Sequence, residues 1–441
     1  MSGSLVDTAR EAVRLAVSHG AAAAAAAVSR ARQVEVAWRD GKLETVTEAT
    51  TRGLGLDLYV DGRYASLSTS DLRPEALDRF IAEGVALTRT LAPDPHRRLP
   101  DPELYRGQAR VDLELADPAI RSLDAGARRR VAEEVEAGAR SAPGADRIVS
   151  VSASVGDTEA ERALVASNGF EGERTGTDSA VSAEVSVRDP DGRRPEDWDA
   201  ASARFRADLP RPSAVGRGAA ERALARVGSR KGESAVSALA VDPRAAGRLV
   251  SALFAPLAAS ALQQKRSFLE GRLGAAVGSA HLDVGDDPLV VRGLGSRLWD
   301  GEGIAARRFP VFERGALRTF YVDCYYGRKL GVAPTTARVS NLAWRLGDAG
   351  QQELLARMGE GVLVTGFLGG NSNSTTGDFS LGVQGFRVRG GRVAEPVGEM
   401  NVSGNHLELW KRLVAVGNDP YPYSSLRTPT LVFEGVQLAG L

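Results

Sequence analysis

Gln33–Glu48 reads QVEVAWRDGKLETVTE. Apolar and polar residues alternate through Gln33–Arg39 and through Lys42–Glu48, and the two runs flank Asp40-Gly41. Alternation at period two marks a strand with one buried face, and Asp-Gly tolerates the positive φ of a tight turn, so the stretch reads as a β-hairpin. The pattern repeats at once, with Gly53–Val60 and Arg63–Thr69 flanking Asp61-Gly62. Upstream, Ser4 is placed to cap a helix with Asp7 three residues on, and Gly20 stops that helix after His19. Ala21–Ala27 has helix propensity but sits between a helix stop and a hairpin. Its latter half is therefore read as a strand packed closely under a helix.

Leu72–Thr90 continues as an amphipathic helix, and Leu91–Leu115, rich in Pro, Asp and Arg, reads as a surface excursion or linker. A charged helix over roughly Ser122–Ala142 precedes a second meander of Ile148–Gly156, Arg162–Ser167, Phe170–Thr177 and Val181–Val187. Its turns fall at Asn168-Gly169 and Asp189–Gly192. Leu209–Gly218 reads as a Pro/Gly/Arg-rich hinge before a short helix around Ala219–Val227. Asp242-Pro243 then opens a helix running to about Gln264, with a kink or break at Pro256. From Ser267 onward the chain is rich in glycine and short extended runs, the texture of a closed antiparallel sheet or barrel. The expected fold class is α+β. Residues 1–234 would form an N-terminal α+β domain, with sub-units 1–95 and 116–234. Residues 235–441 would form a Gly-rich, barrel-like C-terminal domain with flanking helices.

The 441 residues carry 56 basic and 56 acidic side chains, and this neutral balance argues against a nucleic-acid or other polyanion binder. One cysteine cannot make an intrachain disulfide. Met1-Ser2-Gly3-Ser4 lacks a signal-peptide layout, and no uncharged apolar run approaches the ~20 residues needed to cross a bilayer. The expected address is the cytoplasm, away from membranes. The four histidines, His19, His96, His281 and His406, are scattered, so no zincin helix with paired histidines exists.

Several polar stretches have both a functional and a plainer reading. His281, Asp283, Asp286 and Asp287, followed by Asp300 and Glu302, could bind a hard cation or serve as acid and base. Asp-Asp-Pro and Asp-Gly are equally turn formers. Gly366–Gly385, GFLGGNSNSTTGDFSLGVQG, lacks the lysine of a phosphate loop. It reads as a cavity-lining loop, as a glycine-rich barrel hairpin, or as both. Cys324 sits among aromatic and apolar neighbours and reads as a buried, inert thiol. His406 could donate into a site, or be structural near a strand–helix junction. No Gly-x-Ser-x-Gly elbow is present.

An ordered series of short motifs then resembles the TldD/PmbA family across nearly the whole chain. It comprises Gly53-Leu-Gly-Leu, Tyr59-Val-Asp-Gly, Val241-Asp-Pro-Arg-Ala-Ala, Arg266-Ser-Phe-Leu and Gly271–Gly274. Asp286-Asp-Pro-Leu, Gly293-Leu-Gly-Ser, Asp300-Gly-Glu-Gly, Arg328-Lys-Leu-Gly, Thr376-Gly-Asp-Phe-Ser and Val416-Gly-Asn-Asp complete it. The resemblance implies two kinds of subunit. TldD-like chains carry a His-Glu-x-x-x-His helix and a downstream cysteine that bind zinc, and PmbA/TldE-like chains lack them. With Ser267 as anchor, the zinc-helix positions fall near Val250, Ser251 and Ala255, and Leu249–Leu257 contains no His, Glu or Cys. The downstream position falls near Val416–Asn418, and no cysteine follows Cys324. This chain resembles the TldE side, so no residue is assigned as catalytic or as a metal ligand.

What the resemblance implies is a non-catalytic subunit of a heterodimeric zinc metallopeptidase that cleaves unfolded peptides or peptide natural-product precursors. This chain would bind no cofactor, zinc residing in a TldD-like His-Glu-x-x-x-His partner. Asp300, Glu302, Asn371, Asn373, Thr376, Asp378 and Asn405 are the candidate substrate-cavity or interface residues. The alternatives are a stand-alone homodimeric peptide-binding or scaffold protein, and an autonomous hydrolase using Asp283, Asp286, Asp300, Glu302 or His281. Tyr325-Tyr326 and Pro420–Tyr423 are richer in aromatics than the family pattern implies.

Overall fold

The computed structural model describes residues 4–440; Met1, Ser2, Gly3 and Leu441, and so most of the Met1–Ser4 start discussed above, lie outside the described residues. Helix α1 (Leu5–Ser18) is capped by the Ser4 hydroxyl, which accepts from the Asp7 amide at 3.2 Å. Strand β1 (Ala23–Arg39) takes up the alanine run. Its Ala24, Ala26 and Val28 pack in one core with Ala9, Ala12 and Ala16 of α1, where short side chains let helix and sheet approach closely. Asp40 (φ 46°) and Gly41 (φ 79°) turn the chain into β2 (Lys42–Val60), and Asp61 (φ 48°) and Gly62 (φ 74°) turn it into β3 (Arg63–Thr69). Both Asp-Gly pairs thus adopt the left-handed geometry that two-residue hairpins need.

Helices α2 (Pro74–Thr88) and α3 (Ala125–Arg140) precede β4 (Ile148–Ala166), β5 (Glu171–Val187), β6 (Glu196–Ala203) and α4 (Pro212–Ala225). The strands form one six-stranded sheet in the order β3-β2-β1-β4-β5-β6, and β1 joins the two halves by pairing with β4 from Ala25↔Ala166 to Arg39↔Ser152. All four helices cover the same face: α1 and α2 share a core with β1 and β2, and α3 and α4 share one with β4 and β5.

Two sequence readings need correction here. The runs read as separate short strands are continuous, β2 and β4 having 19 residues each and β5 having 17. The binary pattern fades at Ala49–Arg52, which is exposed, so polar side chains occupy both faces while the backbone ladder continues. Leu209–Gly218 is mostly the first turns of α4, with Pro212 at the first helical position, rather than a hinge. A side chain at Gly216 would collide with the Val135 carbonyl of α3, so this glycine serves close helix packing. Leu91–Leu115, read as a surface excursion or linker, is irregular and largely exposed apart from a 3-10 turn at Pro102–Tyr105, and it is clamped to the rest of the chain. The Arg328 guanidinium donates to the carbonyls of Arg98 and Leu99, each at 2.7 Å, and the Arg292 amide donates to Leu113 at 2.8 Å.

Beyond the short β7 (Arg230–Lys231) come β8 (Ala235–Val241) and α5 (Pro243–Phe254), whose start is capped by Asp242. Pro256 ends α5 in a 3-10 turn, as its missing N–H dictates, and the chain resumes as α6 (Ala259–Gln263). Strands β9 (Val284–Asp286), β10 (Phe309–Glu313) and β11 (Ala316–Leu317), helix α7 (Cys324–Leu330) and strand β12 (Leu342–Trp344) follow. The four strands make a small sheet ordered β11-β10-β9-β12. Next come α8 (Gln351–Met358), β13 (Gly361–Ser372), β14 (Asp378–Arg389), β15 (Arg392–Asn405), α9 (His406–Lys411), β16 (Leu413–Val416) and β17 (Leu431–Gly440).

Five strands close a barrel in the order β17-β8-β13-β14-β15, sealed by β15 pairing with β17. The barrel is not wholly antiparallel, because β8 and β13 run parallel across a long crossover. Leu249, Val250 and Leu253 of α5 share the main core with Val241, Val364, Leu381 and Phe433, while α8 covers Ala240, Leu363 and Val432 from outside. The protein is therefore α+β, with a closed barrel in its C-terminal region. Among the described residues, no helix is long and apolar enough to cross a membrane.

Candidate functional site

Helix α5 is strongly amphipathic. Leu249, Val250, Leu253 and Phe254 are buried, whereas Arg248, Ser251 and Ala255 face outward. Of the positions compared above with a zinc helix, Val250 is therefore core, and Ser251 and Ala255 offer one neutral hydroxyl and a methyl group. Zinc is held by thiolate, imidazole or carboxylate donors, and this helix supplies none, so its residues do not fit the metal. Among the described residues, no three His, Cys, Asp or Glu side chains converge as a metal site. The residue that follows the 416–418 segment, Asp419, is linked through Gln351 to the start of α5. Asp419 accepts from the Gln351 amide at 3.1 Å, and the Gln351 side chain reaches Asp242, the α5 cap, at 3.3 Å. The later residue Thr428 touches α5 directly, donating to the Pro243 carbonyl at 2.6 Å.

The outer face of α5 adjoins the β13–β14 hairpin: Arg248 reaches the carbonyls of Gly369 and Gly370 at 3.4 Å. Just beyond α6, the Phe268 amide donates to Ser374 at 2.9 Å. The hairpin's polar groups are largely satisfied by one another. Asn373 accepts from the Thr375 amide at 2.9 Å, and the Thr376 hydroxyl donates to Asp378 at 2.7 Å. Asn405 donates to the Thr376 carbonyl and the Asp378 carboxylate, both at 2.9 Å, while its oxygen caps α9 by accepting from the Leu407 amide at 3.0 Å. These donors hold the Asp378 carboxyl below the usual range. Asn373, Thr376, Asp378 and Asn405 are thus brought together, with Asn371 exposed on the adjoining strand, paired in register with Ser380.

His406 completes this cluster. It is fully buried, stacked on Phe268 and tilted against Phe379, and its Nε2 lies 2.8 Å from the Ser372 hydroxyl. Burial depresses its pKa to about 4, and Nδ1 has no partner among the described residues. A serine–histidine pair of this kind lacks the carboxylate that orients the imidazole in a hydrolytic triad. The pairing spans 34 residues, and no local motif announces it.

Asp300 and Glu302 belong to a different part of the molecule and make no hydrogen bond to the hairpin cluster. Asp300 accepts from the amides of Glu302 (2.9 Å) and Ile304 (3.1 Å) and from the Thr336 hydroxyl (3.0 Å), so it organises a turn. Glu302 accepts from the Cys324 amide at 3.0 Å, at the start of α7. Burial, with Asp300 and Asp323 nearby, raises its carboxyl pKa to about 7. The Cys324 thiol is itself pushed up by burial and by Glu302, so a reactive thiolate is disfavoured there. Asp286 accepts from Tyr321, the Ser340 amide and the Ser340 hydroxyl, and His281 is exposed elsewhere. The candidate hydrolase carboxylates are therefore engaged separately: Asp283 lies 3.6 Å from Arg345, Asp286 ends β9, and Asp300 and Glu302 share a turn.

A six-stranded sheet with helices on one face, joined to a closed barrel beside a helix at the position of a peptidase motif, defines a metallopeptidase-type chain without a metal-binding helix. The comparisons with known proteins agree on the lineage, and the chain belongs to the PmbA/TldD family. Residues 24–88 match PmbA/TldA metallopeptidase domain 1, 118–227 the central domain and 236–440 the C-terminal domain. The Escherichia coli O157:H7 metalloprotease PmbA is 28% identical over 94% of this chain and 91% of its own length. A Haemophilus influenzae homologue of PmbA is 28% identical over 97% and 94%. A crystal structure from Bacteroides thetaiotaomicron, described as a candidate modulator of DNA gyrase, superposes with a TM-score of 0.95 at 40% identity, covering 99% of this chain and 98% of that one. TldE from Thermococcus kodakarensis shares the fold, with a TM-score of 0.85 at 20% identity over 98% and 100% of the two chains.

Proposed function

We propose that this chain is the non-catalytic subunit of a TldD/TldE-type heterodimeric zinc metallopeptidase acting on unfolded peptides or peptide natural-product precursors. The observation that carries the reading is α5 itself, where the positions compared with a zinc helix hold the buried Val250 and the exposed Ser251 and Ala255, none of them a metal donor. Zinc-dependent hydrolysis needs a metal to acidify water and polarise the carbonyl, and a carboxylate to take the proton. The His-Glu-x-x-x-His partner supplies both, and this chain contributes walls. The β13–β14 hairpin, with Asn371, Asn373, Thr376 and Asp378 and closed by Asn405 of β15, would be the part of those walls that adjoins the outer face of α5. Its exposed strand Gly369–Ser372 offers backbone groups to an extended peptide, a mode tolerant of side-chain sequence.

Co-expression with a His-Glu-x-x-x-His paralogue tests this. The pair is expected to co-purify, carry zinc and cleave unstructured peptides, while this chain alone does neither. A stable homodimer that ignores such a partner would favour the stand-alone peptide-binding alternative.

A further inference from the structure

The face of the six-stranded sheet turned away from the helices carries charge in an unusual way. Arg162 of β4 and Arg174 of β5 are directly opposite in the antiparallel register. Like charges directly opposite destabilise a sheet, yet neither guanidinium has a carboxylate within 4.0 Å or a hydrogen-bond acceptor among the described residues. Arg174 instead lies over the Trp299 ring at 4.9 Å. Arg297 approaches from the loop after β9, held by the carbonyls of Gly295, Arg338 and Val339 and by the Thr336 hydroxyl. Those contacts orient it without neutralising it. The Nε atoms of Arg162 and Arg297 are buried and unpartnered. Arg338, exposed and likewise free of ion pairs among the described residues, stands at the rim.

These four side chains line one cavity of about 680 Å³ between the sheet and the 294–301 loop. Arg30, Arg204, Glu161, Asp178 and Asp300 also line it. Arg204 is paired with Asp178 at 2.9 Å, and Glu161 lies 3.6 Å from Arg121. Asp300 organises its turn, and its charge partly offsets those of Arg162 and Arg174. The chain as a whole is neutral, so the concentration of cations is local. Burial and the neighbouring guanidiniums of Arg162, Arg297 and Arg204 lower the Arg174 pKa to about 10. Arg162 and Arg174 are half-buried, unpaired charge withdrawn from water is costly, and a bound anion would supply the missing counter-charge. Guanidinium forks match carboxylate and phosphate oxygens in geometry and charge, and the volume is that of a small-molecule site.

We propose that this cavity binds a small ligand carrying two or more carboxylate or phosphate groups. Asp300, one of the candidate substrate-cavity residues, lines the same cavity, but the inference concerns this chain alone and is tested without a partner, so its failure and that of the proposed peptidase role are distinguishable.

The test is calorimetric titration and thermal denaturation of the purified full chain with sodium pyrophosphate, citrate and a hexaglutamate peptide, against sodium chloride at matched ionic strength. Pyrophosphate or citrate is expected to bind saturably and raise the melting temperature beyond the chloride control. Arg162→Gln and Arg174→Gln should each weaken that binding by about tenfold or more, since each removes charge-assisted hydrogen bonds. Their ligand-free melting temperatures should hold or rise, because a like-charge repulsion is relieved. Arg338→Gln, at an exposed position where folding is not at stake, should weaken binding several-fold. Phosphate-only or citrate-only binding would assign the oxyanion. The proposal is overturned if neither small anion exceeds chloride, if the variants bind as the parent does, or if only hexaglutamate binds.

Discussion

The outer face of α5 and the far face of strands β4 and β5 treat chemistry in opposite ways. On α5 the chain presents Arg248, Ser251 and Ala255, with no metal donor among them, over a well-packed apolar stripe that includes Val250. On the sheet, facing the 294–301 loop, it gathers Arg162 and Arg174 with no carboxylate within 4.0 Å of either among the described residues. The other face of the same β4 shows how this chain ordinarily handles a buried charge. There Asp157 pairs with Arg128 at 2.7 Å and accepts from Ser179 at 2.7 Å, with both ionic side chains buried. Packing without ligands marks a structural role, pairing marks a stabilising one, and unpaired cations mark a place that waits for a counter-charge.

The largest expected effect breaks the ordinary case. Asp157→Ala strands Arg128 in the core and should cost about 3–5 kcal/mol by chemical denaturation. A loss below 1 kcal/mol would mean that the paired face is not the control it is taken to be. Next, Leu253→Ala should cost about 2–5 kcal/mol, because the inner stripe of α5 is core. By contrast, Ser251→Glu and Ala255→Glu on its outer face should each change stability by less than about 0.5 kcal/mol. Equal costs on the two faces would erase the distinction between stripe and surface.

Smaller still are the pH effects. His406 has its pKa depressed to about 4, below its ordinary value, so the folded state resists its protonation. Its contribution is present above about pH 6.5 and is lost as pH falls toward 4. His406→Phe, which keeps the stacking on Phe268 and Phe379, should flatten that acid limb in thermal melts. Glu302 behaves oppositely. Raised to about 7, it favours the folded state at low pH, and that contribution fades as pH rises from about 4.5 through 7. Glu302→Gln should therefore gain melting temperature relative to the parent at pH 8 but not at pH 5. A gain at both would place the effect in packing rather than in proton binding.

Much of this was legible in residues alone. Asp40-Gly41 and Asp61-Gly62 announced hairpins because few residue pairs accept two positive φ angles, and Asp242-Pro243 with Pro256 bracketed α5 because proline fixes both positions. The full strand lengths were hidden, since backbone pairing continues where Ala49–Arg52 lacks a buried face. Pro212 looked like part of a hinge because proline and glycine serve helix starts and close packing as well as breaks. Asn373, Thr376 and Asp378 could be picked out by their density along the chain, but their closure by Asn405 needed the β14–β15 register. Ser372 and His406 meet only through the same fold. The arginine pair left a usable trace: Arg162 and Arg174 are equidistant from Asn168, so a turn there sets them face to face.

The most direct test of the central claim is zinc content and peptide cleavage, measured for this chain alone and then with a co-expressed His-Glu-x-x-x-His partner. The account requires zinc and cleavage to appear only in the pair, to vanish when the partner's glutamate is replaced by glutamine, and to survive Ser251→Ala here. Stoichiometric zinc and peptide cleavage by this chain alone would contradict it.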